Sequence, residues 1–240
     1  MHFHGASSSW HDIWGHFWGK FCDWKVGHIP GKPHPGKHPP KCPVPCFTPG
    51  TRIVTERGER RVEKLSVGDR VATRDNGLQP IRWIGQVTLT PDDLEQDPSL
   101  RPVRIRAGAM GAGVPTRDML VSPQHRLLLR ERDLGLLFDG NEMLVPAVRL
   151  LAAPGFQRRN VSAVTYIHLM FDHHELILSD GVWTESFQPG ADVLSAMDEA
   201  QRGELLRLFP ALSGPAPERV YPAARSTVKA FETRAIRMVG

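Results

Sequence analysis

The chain has 240 residues, 40% of them hydrophobic and 23% charged, with a formal net charge of +4. That length suits one domain of ordinary size plus extensions, and that composition excludes wholesale disorder. Basic and acidic residues interleave, as in Glu56, Arg57, Glu59, Arg60, Arg61 and Glu63, so the charge reads as a mixed solvated surface, and no nucleic-acid partner is expected.

No apolar run approaches membrane-spanning length, so no membrane span is expected. The three cysteines, Cys22, Cys42 and Cys46, all sit in the first fifth of the chain, which rules out a disulfide framework for the folded part. The first residues lack the basic start and apolar core of a signal peptide. The default expectation is therefore cytoplasmic, with secretion by a non-classical route left open.

Residues 1–45 form one compositional zone. It holds seven of the eleven histidines, between His2 and His38, and four of the six tryptophans. Its second half, "HIPGKPHPGKHPPKCPVP", is too poor in apolar residues to bury a core, and a disordered N-terminal tail is expected. Trp10, Trp14, Phe17, Trp18 and Phe21 recur at spacings of three and four, which would suit a turn or two of amphipathic helix.

The pattern changes at Cys46. "TRIVT" reads as a strand and "ERGER" as a turn. Short strands follow, separated by Gly68-Asp69 and by Asp75-Asn76-Gly77, a hairpin signal in which Asn and Gly both tolerate positive φ. Asp92 to Pro102 reads as a polar loop, and "VRIRAG" alternates as an edge strand would. "DMLVSPQHRLLL" is a strand broken at Ser122-Pro123 and resumed after His125. "EMLVPAVRLL" and "VSAVTYIHLMFDHHELILSDGVWTESF" continue the β character, with turns at His173-His174 and Asp180-Gly181. "VEKLSVGDRV" and "LVPAVRLL" echo one another faintly, as two halves of a pseudo-symmetric β fold would. After Gly190, "ADVLSAMDEAQRGELLRLF" turns helical, and "TVKAFETRAIRMVG" is expected to form a second short helix.

Cys46 stands where the ordered pattern begins. A thiol becomes a useful nucleophile when its pKa falls or a base is adjacent, and the segment Ser122 to His125 supplies an imidazole in a strand-turn-strand setting. "CFTPGTRIVTERGERRVEKLSVGDRVATRDNG", with its opening cysteine, its "F-x-x-G-T" turn and its "L-x-x-G-D-x-V" segment, resembles the start of a Hint domain, the self-processing module shared by inteins and Hedgehog C-terminal regions. "SPQH" is similar to the family's Thr-x-x-His motif, with serine in place of threonine. Val164 to Phe187 resembles its late strand pair. The resemblance covers Cys46 to Gly190 and is nearest to the bacterial Hint group.

That resemblance implies an all-β, horseshoe-like fold with pseudo-two-fold symmetry over residues 46–190, flanked by the tail at 1–45 and a helical C-terminal extension at 191–240. It implies an N–S acyl shift, in which the Cys46 sulfur attacks the Pro45 carbonyl and forms a thioester. The catalytic candidates are Cys46, Ser122, His125, His168 and His174. His125 would protonate the leaving nitrogen. Ser122 would orient His125 or donate to the developing oxyanion. His168, where relatives often carry an acidic residue, would share the proton traffic, and His174 would line the site. Asn76, Asn141 and Asn160 are the only asparagines and none ends the domain, so N-terminal cleavage or acyl transfer is expected in place of splicing. The chain's own N-terminal segment would be the substrate, and water, a thiol or an amine the acceptor, with no cofactor or metal. Pro45 before the nucleophile would make the cut slow or conditional.

Two further expectations concern the tail. A Cys42–Cys46 disulfide would mask the nucleophile until reduced. The competing reading of the whole chain is a Hint-fold binding module that has lost its chemistry and carries a His-rich, metal-binding tail.

Overall fold

The structure is a computed structural model that describes residues 44–130 and 142–228. The expected tail, its amphipathic turn, Cys42 and the second C-terminal helix lie outside the described residues.

The fold is mostly β, as the motif order implied, and all its strand pairs are antiparallel. Strands β1 (Arg52–Thr55) and β2 (Gly58–Arg61) form a hairpin, followed by a 3-10 turn at Val62–Lys64. Strands β3 (Arg70–Thr73) and β4 (Gly77–Pro80) form the next, closing where the Asn-Gly pair predicted. Only Gly77 takes positive φ there. Asn76 instead spends its side-chain amide on Glu175, at 2.8 and 3.1 Å.

Strand β5 (Trp83–Leu89) pairs along its whole length with β11 (Val164–Met170), which sets His168 opposite Gly85. A short sheet runs β10 (Phe156–Arg158), β6 (Val103–Ile105), β7 (Met119–Val121). β6 is thus a middle strand and not an edge. Val103 and Ile105 are fully buried, and both of the strand's flanks are hydrogen-bonded. Strands β8 (Arg126–Arg130), β9 (Glu142–Pro146), β12 (Leu176–Ser179) and β13 (Val182–Glu185) complete an eight-stranded sheet in the order β2-β1-β3-β12-β13-β8-β9, with β4 on β3. β12 turns into β13 through Asp180 (φ 46°) and Gly181 (φ 84°). Two successive positive φ values make the type I′ turn that matches strand twist. A 3-10 turn at Ala147–Leu150 follows β9, as one follows β2.

The expected loop after β5 contains helix α1 (Pro91–Gln96) and a 3-10 turn at Pro98–Leu100. Thr90 and Asp93 cap one another's backbone amides, Pro91 fits the first helical turn, and Leu94 and Leu100 anchor the segment in the core. The helical stretch after Gly190 divides into α2 (Ala191–Ala196) and α3 (Glu199–Leu208), because Asp198 caps a new helix through Gln201 N–H at 3.0 Å. Helix α4 (Pro217–Val220) follows. Leu194, Leu205, Leu212 and Tyr221 pack with Trp83 and Phe187, which seats the extension on β5 and on the end of β13. No helix among the described residues is long and apolar enough to cross a membrane.

Candidate functional site

Phe47 fixes the approach of the chain to the sheets. Its backbone exchanges two 2.9 Å hydrogen bonds with Ile167 of β11, and it forms a second bridge to Val121 of β7. The Pro45–Cys46 peptide is thereby held between β11, which carries His168, and the turn after β7, which carries Ser122 and His125. Pro45 and Cys46 are both buried.

Each polar atom of that peptide has a partner. The Cys46 N–H donates to Ser122 Oγ at 2.9 Å. The Ser122 hydroxyl spends its own proton on the Val44 carbonyl at 2.6 Å. The Pro45 carbonyl oxygen lies 3.0 Å from His168 Nδ1. A carbonyl oxygen only accepts, so Nδ1 carries the proton, and the Nε2 of the neutral ring presents a lone pair. That Nε2 is 3.7 Å from Cys46 Sγ. The thiol itself donates to the Val44 carbonyl at 3.0 Å. One imidazole therefore faces both the Cys46 sulfur and the Pro45 carbonyl oxygen. Ser122 sits at the nitrogen of the peptide, and the carbonyl is taken by His168.

Burial governs the electrostatics. It pushes the Cys46 thiol pKa well above the ordinary value; the Ser122 contact lowers it by less, and the negative Glu185 adds to the rise. The group is therefore a thiol at rest and needs a base at the moment of attack. Burial also pulls His168 down to about 4, against the opposing pull of the Pro45 carbonyl. His168 is thus neutral at physiological pH and able to take a proton. His125 is likewise pulled down to about 4 by burial, partly offset by Glu185, with Arg126 and His168 lowering it further.

His125 sits one turn on from Ser122, its N–H bonded to the Ser122 carbonyl at 3.1 Å, and its ring meets Phe47 edge-on at 4.5 Å. Both its ring nitrogens are buried without a hydrogen-bond partner. A buried imidazole with nothing to bond costs stability. His174 has other company. Its Nδ1 accepts from Ala224 N–H at 2.9 Å and its Nε2 faces Glu185 Oε2 at 3.3 Å. No hydrogen bond or ion pair joins it to Cys46, Ser122 or His125 among the described residues.

Two features of the site carry weak sequence signals. Glu185 ends a strand whose turn was legible, but the strand's register alone decides that its carboxylate comes to the amide of Arg126, at 2.8 Å. Trp83 and Phe187 wall His168, with ring centroids 6.3 and 4.9 Å from the imidazole. Gly85 makes room for that wall. A Cβ there would come within 2.1 Å of the Trp83 ring. Cys46 carries a free thiol, and no cluster of metal-ligating side chains occurs among the described residues.

A family model described as Hint domain matches residues 45–191. Among solved structures, the bacterial intein-like domain from Clostridium thermocellum is similar at 14% identity, with 60% of this chain and 98% of that one covered and a TM-score of 0.38. The gp41-1 intein is similar at 11% identity, with 58% and 97% covered and a TM-score of 0.36. The MchDnaB-1 intein is similar at 12% identity, with 58% and 98% covered and a TM-score of 0.33. No curated protein matches the chain in sequence.

Proposed function

The chain belongs to the Hint domain family, a family of self-processing domains, over residues 45–191, and we propose that it cuts or transfers its own N-terminal segment through an N–S acyl shift at Pro45–Cys46. The observation that carries this reading is the pair of contacts made by His168, Nδ1 to the Pro45 carbonyl at 3.0 Å and Nε2 to Cys46 Sγ at 3.7 Å.

The step runs as follows. The thiol leaves its resting bond to Val44 and gives its proton to His168 Nε2. The sulfur forms a bond to the Pro45 carbonyl carbon, and the C=O π pair moves onto oxygen. That oxyanion is met by the Nδ1–H of a ring that has just become cationic, so stabilisation grows as charge develops. Amide resonance, which opposes rotation by about 18–20 kcal/mol, is lost once the carbon is tetrahedral. Collapse re-forms the C=O and breaks the C–N bond. The Cys46 nitrogen takes a proton from His125, the unpartnered imidazole next to Ser122, and Ser122 Oγ holds the nitrogen's existing N–H throughout. His168 has gained one proton and His125 has lost one, so exchange with solvent resets the pair. The products are a Pro45 thioester and a free Cys46 amine.

Water, a thiol or an amine then attacks the thioester, releases Pro45 as an acid, a new thioester or an amide, and returns the Cys46 thiol. Cleavage or transfer, and not splicing, is the outcome, because no asparagine ends the matched span. With its pKa near 4, only about one His125 in a thousand is protonated at pH 7. A slow single turnover follows. Hydroxylamine tests the thioester directly. The expected product is a hydroxamate at Pro45, and its absence at long times would remove the reading.

A further inference from the structure

The family match ends at residue 191, yet residues beyond it reach the wall of the His168 imidazole and the residue that follows His125 by separate routes. The first route starts on α3. Glu204 accepts from Trp83 Nε1 at 3.2 Å. The Trp83 ring lies nearly parallel to the His168 imidazole, 14° apart, and Phe187 closes the space between them. Leu205, beside Glu204, is fully buried in the same cluster as Trp83. Trp83 has no room to drift, since its ring fills the space above Gly85, the cross-strand partner of His168.

The second route is the segment 221–228. Ala224 N–H donates to His174 Nδ1 at 2.9 Å, and Thr227 Oγ1 accepts from Arg126 Nη1 at 3.1 Å. The Ala224 amide occupies Nδ1, and Nε2 stands 3.3 Å from Glu185 Oε2 without the alignment of a hydrogen bond. Arg126 Nε stands 3.2 Å from the other oxygen, Oε1. That same oxygen takes the Arg126 backbone N–H at 2.8 Å, the amide that joins Arg126 to His125. Glu185 has no exposed surface; its Oε1 takes both Arg126 contacts, while its Oε2 has no hydrogen-bond partner. Arg126 is held by Thr227 of the segment and, at 3.2 Å, by Gln188 Oε1. The segment is itself tied down by Arg225, at 2.7 and 3.0 Å from Asp75 and 3.1 Å from Glu142, and by a parallel bridge between Thr227 and Leu144.

We propose that residues 192–228 are a positioning element for the acyl shift, setting His168 through Glu204 and Trp83, and His125 through Thr227, Arg126 and Glu185. The inference rests on the reaction proposed above. It makes Glu204 and Thr227 positioning residues. Removing the acceptor at either place lets one imidazole relax while leaving the other in position.

The test uses the full chain carrying Cys46→Ala, which stays intact, with its histidine side chains labelled for NMR. Glu204→Leu is expected to move the His168 imidazole resonances and leave those of His125, and Thr227→Val the reverse. Glu204→Gln and Thr227→Ser are expected to restore the wild-type positions. In the chain that retains Cys46, each of the two disruptive variants is expected to slow thiol-induced cleavage about tenfold, the scale of one hydrogen bond to a charged or positioned group. Resonances that stay put in both disruptive variants overturn the proposal, whether or not the parent chain cleaves. Resonances that move together in both variants, without rescue by the conservative pair, overturn it as well. A parent chain that never cleaves removes the acyl-shift reading, and the selective resonance shifts then decide the positioning claim alone.

Discussion

The Nδ1 of His168 donates to the carbonyl oxygen of Pro45 at 3.0 Å, across 123 positions of sequence. This one bond fixes the tautomer of the ring and leaves Nε2 unprotonated toward the Cys46 sulfur. On the proposed acyl shift, a base and an oxyanion donor are thus combined in one side chain. The two roles separate by substitution.

His168→Asn keeps a donor near the Nδ1 position and removes the base. His168→Phe removes both and fills the same walled space. General base catalysis contributes about 10²–10⁴-fold and a single oxyanion donor about 10²–10³-fold. His168→Asn is expected to cut the rate of thiol-induced cleavage by the first factor, and His168→Phe by clearly more. Equal losses in the two variants would show that the carbonyl contact does nothing for the reaction.

The low pKa values of the two buried histidines are also a statement about stability. Both fall from 6.5 to about 4 on folding. Between those values the unfolded chain binds more protons than the folded one, so stability rises with pH. The stability present at neutral pH is lost as pH falls from about 6.5 toward 4. Each histidine contributes on the order of 3 kcal/mol to that loss. His125→Phe removes one of them and buries no unpaired nitrogen. Urea unfolding at pH 7 and pH 4 is expected to show a smaller drop for His125→Phe than for the parent chain, by about 2–3 kcal/mol. Identical drops would place the His125 proton outside the folding equilibrium.

Gly85→Ala tests the wall behind His168. The new Cβ meets the Trp83 ring at 2.1 Å, so the indole must move and its bond to Glu204 must break. Overpacking of this kind costs about 1–3 kcal/mol. A lower unfolding midpoint is expected together with slower cleavage. Gly190→Ala, with nothing within 4 Å of the added atom, is the control for a glycine change without a clash. Full cleavage activity in Gly85→Ala would detach the wall from the chemistry.

Much of the fold was legible because its signals are local. Asp180-Gly181 and Gly77 mark tight turns, and Ser122-Pro123 ends one strand before Arg126 starts the next in a different sheet. The signal for the helix after Thr90 is equally local, a Thr-x-x-Asp cap set in a polar composition that otherwise reads as loop. The break at Asp198 was of the same kind. The middle position of β6 was not readable, because alternation tells which face is buried and not how many neighbours a strand has.

The site divides in the same way. The order of Cys46, Ser122 and His125 along the chain resembles a family and implies a chemistry, and His168 stands where relatives often carry an acidic residue. Which atom each group faces depends on contacts 76 to 123 positions apart, set by sheet register. So the sequence pointed to Ser122 as a partner of His125 or of the carbonyl, while the fold puts its hydroxyl on the Cys46 nitrogen. His174 was expected in the lining of the site; its Nδ1 accepts from Ala224 N–H and its Nε2 stands 3.3 Å from Glu185 Oε2.

The most direct measurement is mass spectrometry of the purified full chain incubated with dithiothreitol, beside Cys46→Ala. An acyl shift at Pro45–Cys46 predicts two fragments, one of residues 1–45 and one beginning at Cys46, that accumulate in the parent chain and are absent from Cys46→Ala. Intact chain alone after days at neutral pH, in both proteins, would contradict it.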